Sequence, residues 1–277
     1  MNLRPEYTVA ANATTLGESI KISWAIKVGE NMFKAEIKSD TLKGLVNVIS
    51  TLVDEVKFSI NEEGVNLKAV DPAHVAMVDM MIGKGAFESF SADNGTDMGV
   101  DLDKMKDVLK LAGSGDVLSM EQDESQGRLI LKVGNITRRM NLVDTSGMND
   151  PKVPQLSLPV NVDVAVSELQ RGIKAAESVS DHIALSADEE SFELFCEGDT
   201  DSVSLKLDKA KLAGITASSK VRSLFPLDYF SNLVKAIPSD TIVKISLGND
   251  YPVKLTFDFA GGNGTVGYLL APRIEND

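Results

Sequence analysis

The sequence predicts an α+β protein built from four similar units joined in two pairs, and three observations carry that prediction. A helical apolar pattern recurs four times, at intervals of roughly 60 to 65 residues that suit one compact supersecondary unit. A short strand runs into each helix, and two stretches rich in Val, Ile, Leu and Phe follow it with a polar turn between them. Residues 144–159, with Pro151, Pro154 and Pro159 and no sustained period, read as an extended connector between the two pairs.

The first helix is read from Leu42, Leu45, Ile49 and Leu52 and the second from Met105, Val108, Leu109 and Ala112, spacings that gather apolar side chains on one face. The third rests on Leu169, Ile173 and Ala176. The fourth rests on Phe230, Leu233, Val234 and Ile237, and Pro238 closes it because proline cannot continue the hydrogen-bond ladder. Leu45, Leu109, Ile173 and Leu233 hold equivalent places. The strand pairs are 56–60 with 65–70, 117–120 with 129–133, 183–186 with 192–196, and 242–247 with 253–259. Their turns, 61–64, 122–125, 188–191 and 248–250, hold residues that tolerate turn geometry and solvent. A further strand is expected at 266–270, so Gly261, Gly262 and Gly264 mark a tight strand turn and not a phosphate loop.

An apolar fraction of 43% with 25% charged residues is that of an ordinary globular chain. No run of about 20 apolar residues offers a membrane span, and the N-terminus lacks the basic start and apolar run of a signal peptide, which makes an intracellular protein the default. The single cysteine, Cys196, excludes an internal disulfide and reads as a buried structural thiol, with Phe192 and Phe195 near it. Two histidines and one cysteine cannot close a structural zinc site, so no metal and no cofactor are expected. The phosphate loop, the dinucleotide fingerprint, the H-E-x-x-H pair and the nucleophile elbow are all missing. His74, after Asp71 and Pro72, has no nucleophile beside it and reads as a loop residue.

The net charge of −13 counts against a nucleic-acid partner unless the charges are segregated. They are uneven. Lys43 on the first helix, Lys106 and Lys110 on the second, Arg171 and Lys174 on the third and Lys235 on the fourth lie off the apolar stripes, while carboxylates gather in the hairpin turns. If the four helices share a surface, an acidic protein acquires a basic face and the anions are displaced to the other side or the edges.

Several local matches then carry a resemblance: Gly64-Val65-Asn66-Leu67 followed by Asp71 and His74-Val75; Met105, Leu109, Lys110, Ala112 and Gly113; and Leu270-Ala271-Pro272-Arg273-Ile274-Glu275. From about Met32 to Asp277 the chain resembles the archaeal and eukaryotic DNA polymerase sliding clamps, the proliferating cell nuclear antigen family. The resemblance implies a DNA-clamp fold of two similar domains, 32–143 and 160–277, joined by the connector 144–159, with helices lining the inside and antiparallel sheets outside. Residues 1–31 are left as an N-terminal extension, with Met32 as an alternative start.

A homotrimeric ring is implied, closed head to tail through edge strands near 135–142 and 200–207, with Arg138, Arg139, Ser202 and Ser204 at the subunit interface. Lys43, Lys106, Lys110, Arg171, Lys174 and Lys235 would face double-stranded DNA without reading its sequence. Acidic or neutral residues such as Gly44, Ser50, Asp107 and Asp228 stand where relatives often carry cations, so a weaker inner field is expected. Short peptides of DNA polymerase, clamp loader, flap endonuclease and DNA ligase would dock in a pocket of Val70, His74, Val75, Met77, Val153, Pro154, Leu156, Pro252, Leu269, Ala271 and Pro272. No catalysis is implied, and the place of work is the cytoplasm, or the nucleus in a eukaryote. The competing readings are a subunit of a heterotrimeric clamp and a repeat-built enzyme with an acidic site.

Overall fold

The computed structural model describes residues 33–92 and 95–273, so the reading of 1–31 lies outside the described residues. The first unit is β1 (Lys34–Lys38), α1 (Ser39–Ile49), β2 (Glu55–Asn61), β3 (Gly64–Val70) and β4 (Ala76–Gly83), followed by a short β5 (Ser89–Ser91). The second is β6 (Thr96–Asp101), α2 (Leu102–Leu109), β7 (Val117–Asp123), β8 (Arg128–Val133) and β9 (Ile136–Asn141). The third is β10 (Val160–Ala165), α3 (Val166–Ala176), β11 (His182–Ala187), β12 (Ser191–Glu197) and β13 (Ser202–Asp208), with β14 (Gly214–Ala217) after it. The fourth is β15 (Val221–Pro226), α4 (Leu227–Lys235), β16 (Ile242–Leu247), β17 (Val253–Phe259) and β18 (Gly264–Leu270).

The four apolar helix faces are buried as the periodicity requires, with Leu45, Leu109, Ile173 and Leu233 all 4% exposed or less. One expected turn is displaced. Gln122 and Asp123 belong to β7, and the chain reverses through Glu124–Gln126 and Gly127, whose φ of 59° suits glycine. The glycine cluster is a strand turn: Gly261 and Gly262 have φ of 65° and 86°, and Gly264 opens β18.

Within each pair the units exchange their first strands. β1 pairs with β7 of the second unit while β6 pairs with β2 of the first. In the same way β10 pairs with β16, and β15 with β11. The backbone N–H that opens each helix then finds an acceptor just before the strand with which the exchanged strand pairs: Ser39 to Asp116, Leu102 to Asp54, Val166 to Thr241 and Leu227 to Asp181. Four equivalent bonds at four equivalent places satisfy one of the free N–H groups of each helix start.

The two pairs then fuse. A nine-stranded sheet runs β14-β10-β16-β17-β18-β4-β3-β2-β6, flanked by a five-stranded sheet, β5-β1-β7-β8-β9, and a four-stranded one, β13-β12-β11-β15. The seam is β18 against β4, seven residue pairs long, and Tyr268 of β18 crosses it to donate a 2.8 Å hydrogen bond to the Val48 carbonyl of α1. α1 packs on α2 and α3 on α4.

Candidate functional site

On the nine-stranded sheet, Lys57 and Ser59 of β2, Thr265 and Gly267 of β18, and Lys254 and Thr256 of β17 alternate with buried residues and point away from the core. Met77 of β4 and Leu269 of β18 share that outward face, yet they are apolar and only 6% and 8% exposed. They are direct partners across the seam. With Asp79, Met81, Val153, Lys254, Thr256, Thr265 and Gly267 they line a groove of about 160 Å³.

Val153 comes from the connector. Its path starts where the Val143 N–H donates to the Gly99 carbonyl of β6 at 2.9 Å. A Cβ on Gly99 would stand 2.2 Å from the Val143 oxygen, so glycine is what lets the two backbones meet there. Farther on, Asp150 pairs with Lys57 at 2.9 Å, and Leu158 and Pro159 come against Gly248 beyond β16.

Of the pocket residues expected from the sequence, Met77, Val153 and Leu269 line the groove. Val70 is the β3 partner of Met77, and Val75 accepts a 2.9 Å hydrogen bond from the Ala271 N–H. Pro252, Pro272 and Leu156 are half-buried, and Pro154 and His74 are exposed outside the lining. His74 has a φ of 57° in the loop between β3 and β4.

Asp71 holds that loop. Only 3% exposed, its carboxylate accepts from the backbone N–H of Ala73 (3.0 Å), Val75 (2.7 Å) and Ala76 (2.6 Å) and from the Tyr229 hydroxyl of α4 (2.9 Å). Burial works against its charge, but the Ala76 amide, the Tyr229 hydroxyl and the other two amides outweigh it and hold its pKa below the usual carboxylate value. One side chain thus ties the pocket loop to the second domain. Asp79, Met81, Lys254, Thr256 and Thr265 were missed in the sequence. Their alternation marks them as outward-facing, but no local signal says which strands lie side by side.

The six expected DNA-facing cations all lie on the water side of their helices, none of them buried. Displacement of the anions to other surfaces is not what the structure shows. Lys106 pairs with Asp103 at 3.0 Å, Lys110 with Asp107 at 2.8 Å, Arg171 with Glu168 and Lys235 with Glu177. Spacing of three residues puts the first three pairs on one face, so cation and anion share each helix surface. Lys43 donates to the Ala112 carbonyl past the end of α2, joining the two helices. Helices α1 to α4 carry six cations and five carboxylates, close to neutral where the chain as a whole is at −13.

The edge strands fall as expected. β9 bounds the five-stranded sheet and β13 the four-stranded one, while Val143 bridges to β6 and Arg273 to β15. β5 and β14 are only three and four residues long. The long bare edges among the described residues are therefore β9, with Arg138 and Arg139 exposed, and β13, with Ser202 and Ser204 exposed. Cys196 is buried, its thiol donating to the His182 carbonyl, and burial raises its pKa. No group of three or more His, Cys, Asp or Glu among the described residues is placed to hold a metal ion.

Two helix pairs packed on three antiparallel sheets, a groove with an apolar floor on the outer face and one bare edge in each half define a DNA-clamp protomer. Comparison with known proteins agrees over nearly all of the chain. Residues 32–147 match the N-terminal domain of proliferating cell nuclear antigen and 152–273 its C-terminal domain. The DNA polymerase sliding clamp of Methanococcoides burtonii is 43% identical over 247 residues, 89% of this chain and 100% of that one. The structure of the C-terminal region of FEN-1 bound to A. fulgidus PCNA superposes with a TM-score of 0.83 at 32% identity, covering 88% of this chain and 100% of that one. For PCNA from Thermococcus kodakaraensis the TM-score is 0.81 at 26% identity, with 87% and 100% covered. The chain belongs to the proliferating cell nuclear antigen family and is a DNA polymerase sliding clamp, a processivity factor that catalyses no reaction itself.

Proposed function

We propose that three copies close head to tail through β9 and β13 into a ring around duplex DNA, with the helices inward and the groove outward. The observation that carries this is the pair of long bare edges, one in each half, in a protomer whose other edges are short or bridged. Bare edges of that length invite a partner strand, and a head-to-tail join of unlike edges closes into a cycle. Arg138 and Arg139 give the β9 edge a positive charge, and Asp199 and Asp201 put carboxylates at the start of β13, whose far end carries Lys206 as well as Asp208.

In that ring the helices attract phosphates through counterion release without reading bases, and enclosure keeps the clamp on the duplex. The apolar groove takes a short peptide with apolar anchors, of the kind offered by a flap endonuclease, a polymerase, a clamp loader or a ligase. We place this work in the cytoplasm of an archaeal cell. Sedimentation at micromolar concentration, with and without Arg138→Glu/Arg139→Glu, tests the ring. A trimer that the double substitution dissociates is expected; a stable monomer in both would end the homotrimer reading and favour a heterotrimer subunit.

A further inference from the structure

We infer that Lys57 is a positioning residue for partner peptides: by anchoring Asp150 it sets the connector's roof over the groove. The inference rests on the peptide-groove reading above. Val143 sits on β6, and Val153 lies over the groove at β4 and β18. β6 and β18 are four strand spacings apart in the sheet order, about 19 Å. The ten residues from Val143 to Val153 could reach about 33 to 36 Å. Held only at Val143 and at Pro159, the connector has slack between them, and Val153 is free to shift over the groove.

The Lys57–Asp150 pair removes that slack. Lys57 stands on β2, next to β6, and points outward, yet its side chain is only 14% exposed because the connector lies over it. Asp97, 3.9 Å from the same ammonium, supports it from β6, and Ser59 in turn donates to Asp97 at 2.7 Å. Hydrogen bonding to Asp150 raises the Lys57 pKa, so the ammonium stays charged through the physiological range. From Asp150 only three residues remain to Val153, a reach of about 10 to 11 Å. The strand spacings from β2 to β4 and from β2 to β18 are about 10 and 14 Å. Beyond the tether only a short length of chain remains, which keeps Val153 at the groove as one wall. Fixing a wall before the peptide arrives lowers the ordering cost of binding.

The probe is a synthetic peptide of the FEN-1 C-terminal region, titrated by fluorescence polarisation into the full chain. Lys57→Met and Asp150→Asn should each weaken binding about five-fold, the upper range for a single ion pair. Lys57→Arg, which keeps the cation beside both Asp150 and Asp97, should restore it. Trypsin cleavage after Lys152 should quicken in Lys57→Met and Asp150→Asn and slow again in Lys57→Arg, while cleavage within the sheets stays unchanged, a response that loss of general stability would not give. Asp150 lies on the exposed connector, so its variant keeps the sheet intact. Leu269→Asp tests the groove separately and should abolish binding. Unchanged affinity in the Lys57 and Asp150 variants, with Leu269→Asp inactive, overturns this inference and leaves the groove standing; unchanged affinity in Leu269→Asp overturns both.

Discussion

Asp71→Ala removes the acceptor shared by three backbone amides and the Tyr229 hydroxyl at the junction of the two domains. The Ala76 amide is fully buried and those of Ala73 and Val75 partly so, so water replaces the lost acceptor incompletely. Buried unsatisfied groups cost about 1 to 3 kcal/mol each, which puts the loss near 3 kcal/mol when one amide is stranded and the others are partly hydrated. Because β4 and β18 are paired, the damage reaches both halves. With a urea m-value of about 3 kcal/mol/M, the unfolding midpoint should fall by about 1 M. Tyr229→Phe keeps the amides and loses one bond to a charged acceptor, about 1.5 kcal/mol, half that shift. The pH dependence has a definite sign. The folded pKa of Asp71 is lowered, so its ionisation contributes full stability above the unfolded carboxylate value, about 3.9, and that contribution is lost as pH falls through the folded value. The wild type should therefore lose more stability on acidification from about pH 5 to pH 2 than Asp71→Asn does. An Asp71→Ala protein with the wild-type urea midpoint would refute the account of the junction.

The groove and the helix faces give two further expectations. Met77→Asp, on the floor of the groove, should cost the FEN-1 peptide roughly a hundred-fold in affinity, whereas Leu156→Asp, off the lining, should cost under ten-fold, as titration will show. Replacing Asp103 and Glu168 by Asn and Gln frees Lys106 and Arg171 for phosphate, so DNA affinity should rise. The log–log salt slope should steepen by about 0.9 for each added phosphate contact, measured by salt titration on closed circular duplex; an unchanged slope would place those helix faces away from DNA.

The sequence by itself determined the unit and its repetition. Leu45, Leu109, Ile173 and Leu233 were legible because helical and strand periodicities are local, set by which side chains of one segment must leave water. The hairpins were legible for the same reason, apart from the late turn after Asp123, where polar Gln122 and Asp123 continue β7 because Leu129 and Arg128 of β8 pair with them. The three-residue spacings of Asp103 with Lys106 and Glu168 with Arg171 were also written there, though the anions were expected elsewhere. Only the tertiary structure decided that β1 and β6 change places, that β18 meets β4, and that Met77 and Leu269 thereby share a floor beneath Val153. Which alternating strand pairs with which is a choice between distant segments, and any of them could satisfy another's hydrogen bonds. The packing of the whole chain singles one arrangement out, and the groove, the Asp71 junction and the Lys57 tether exist only in it.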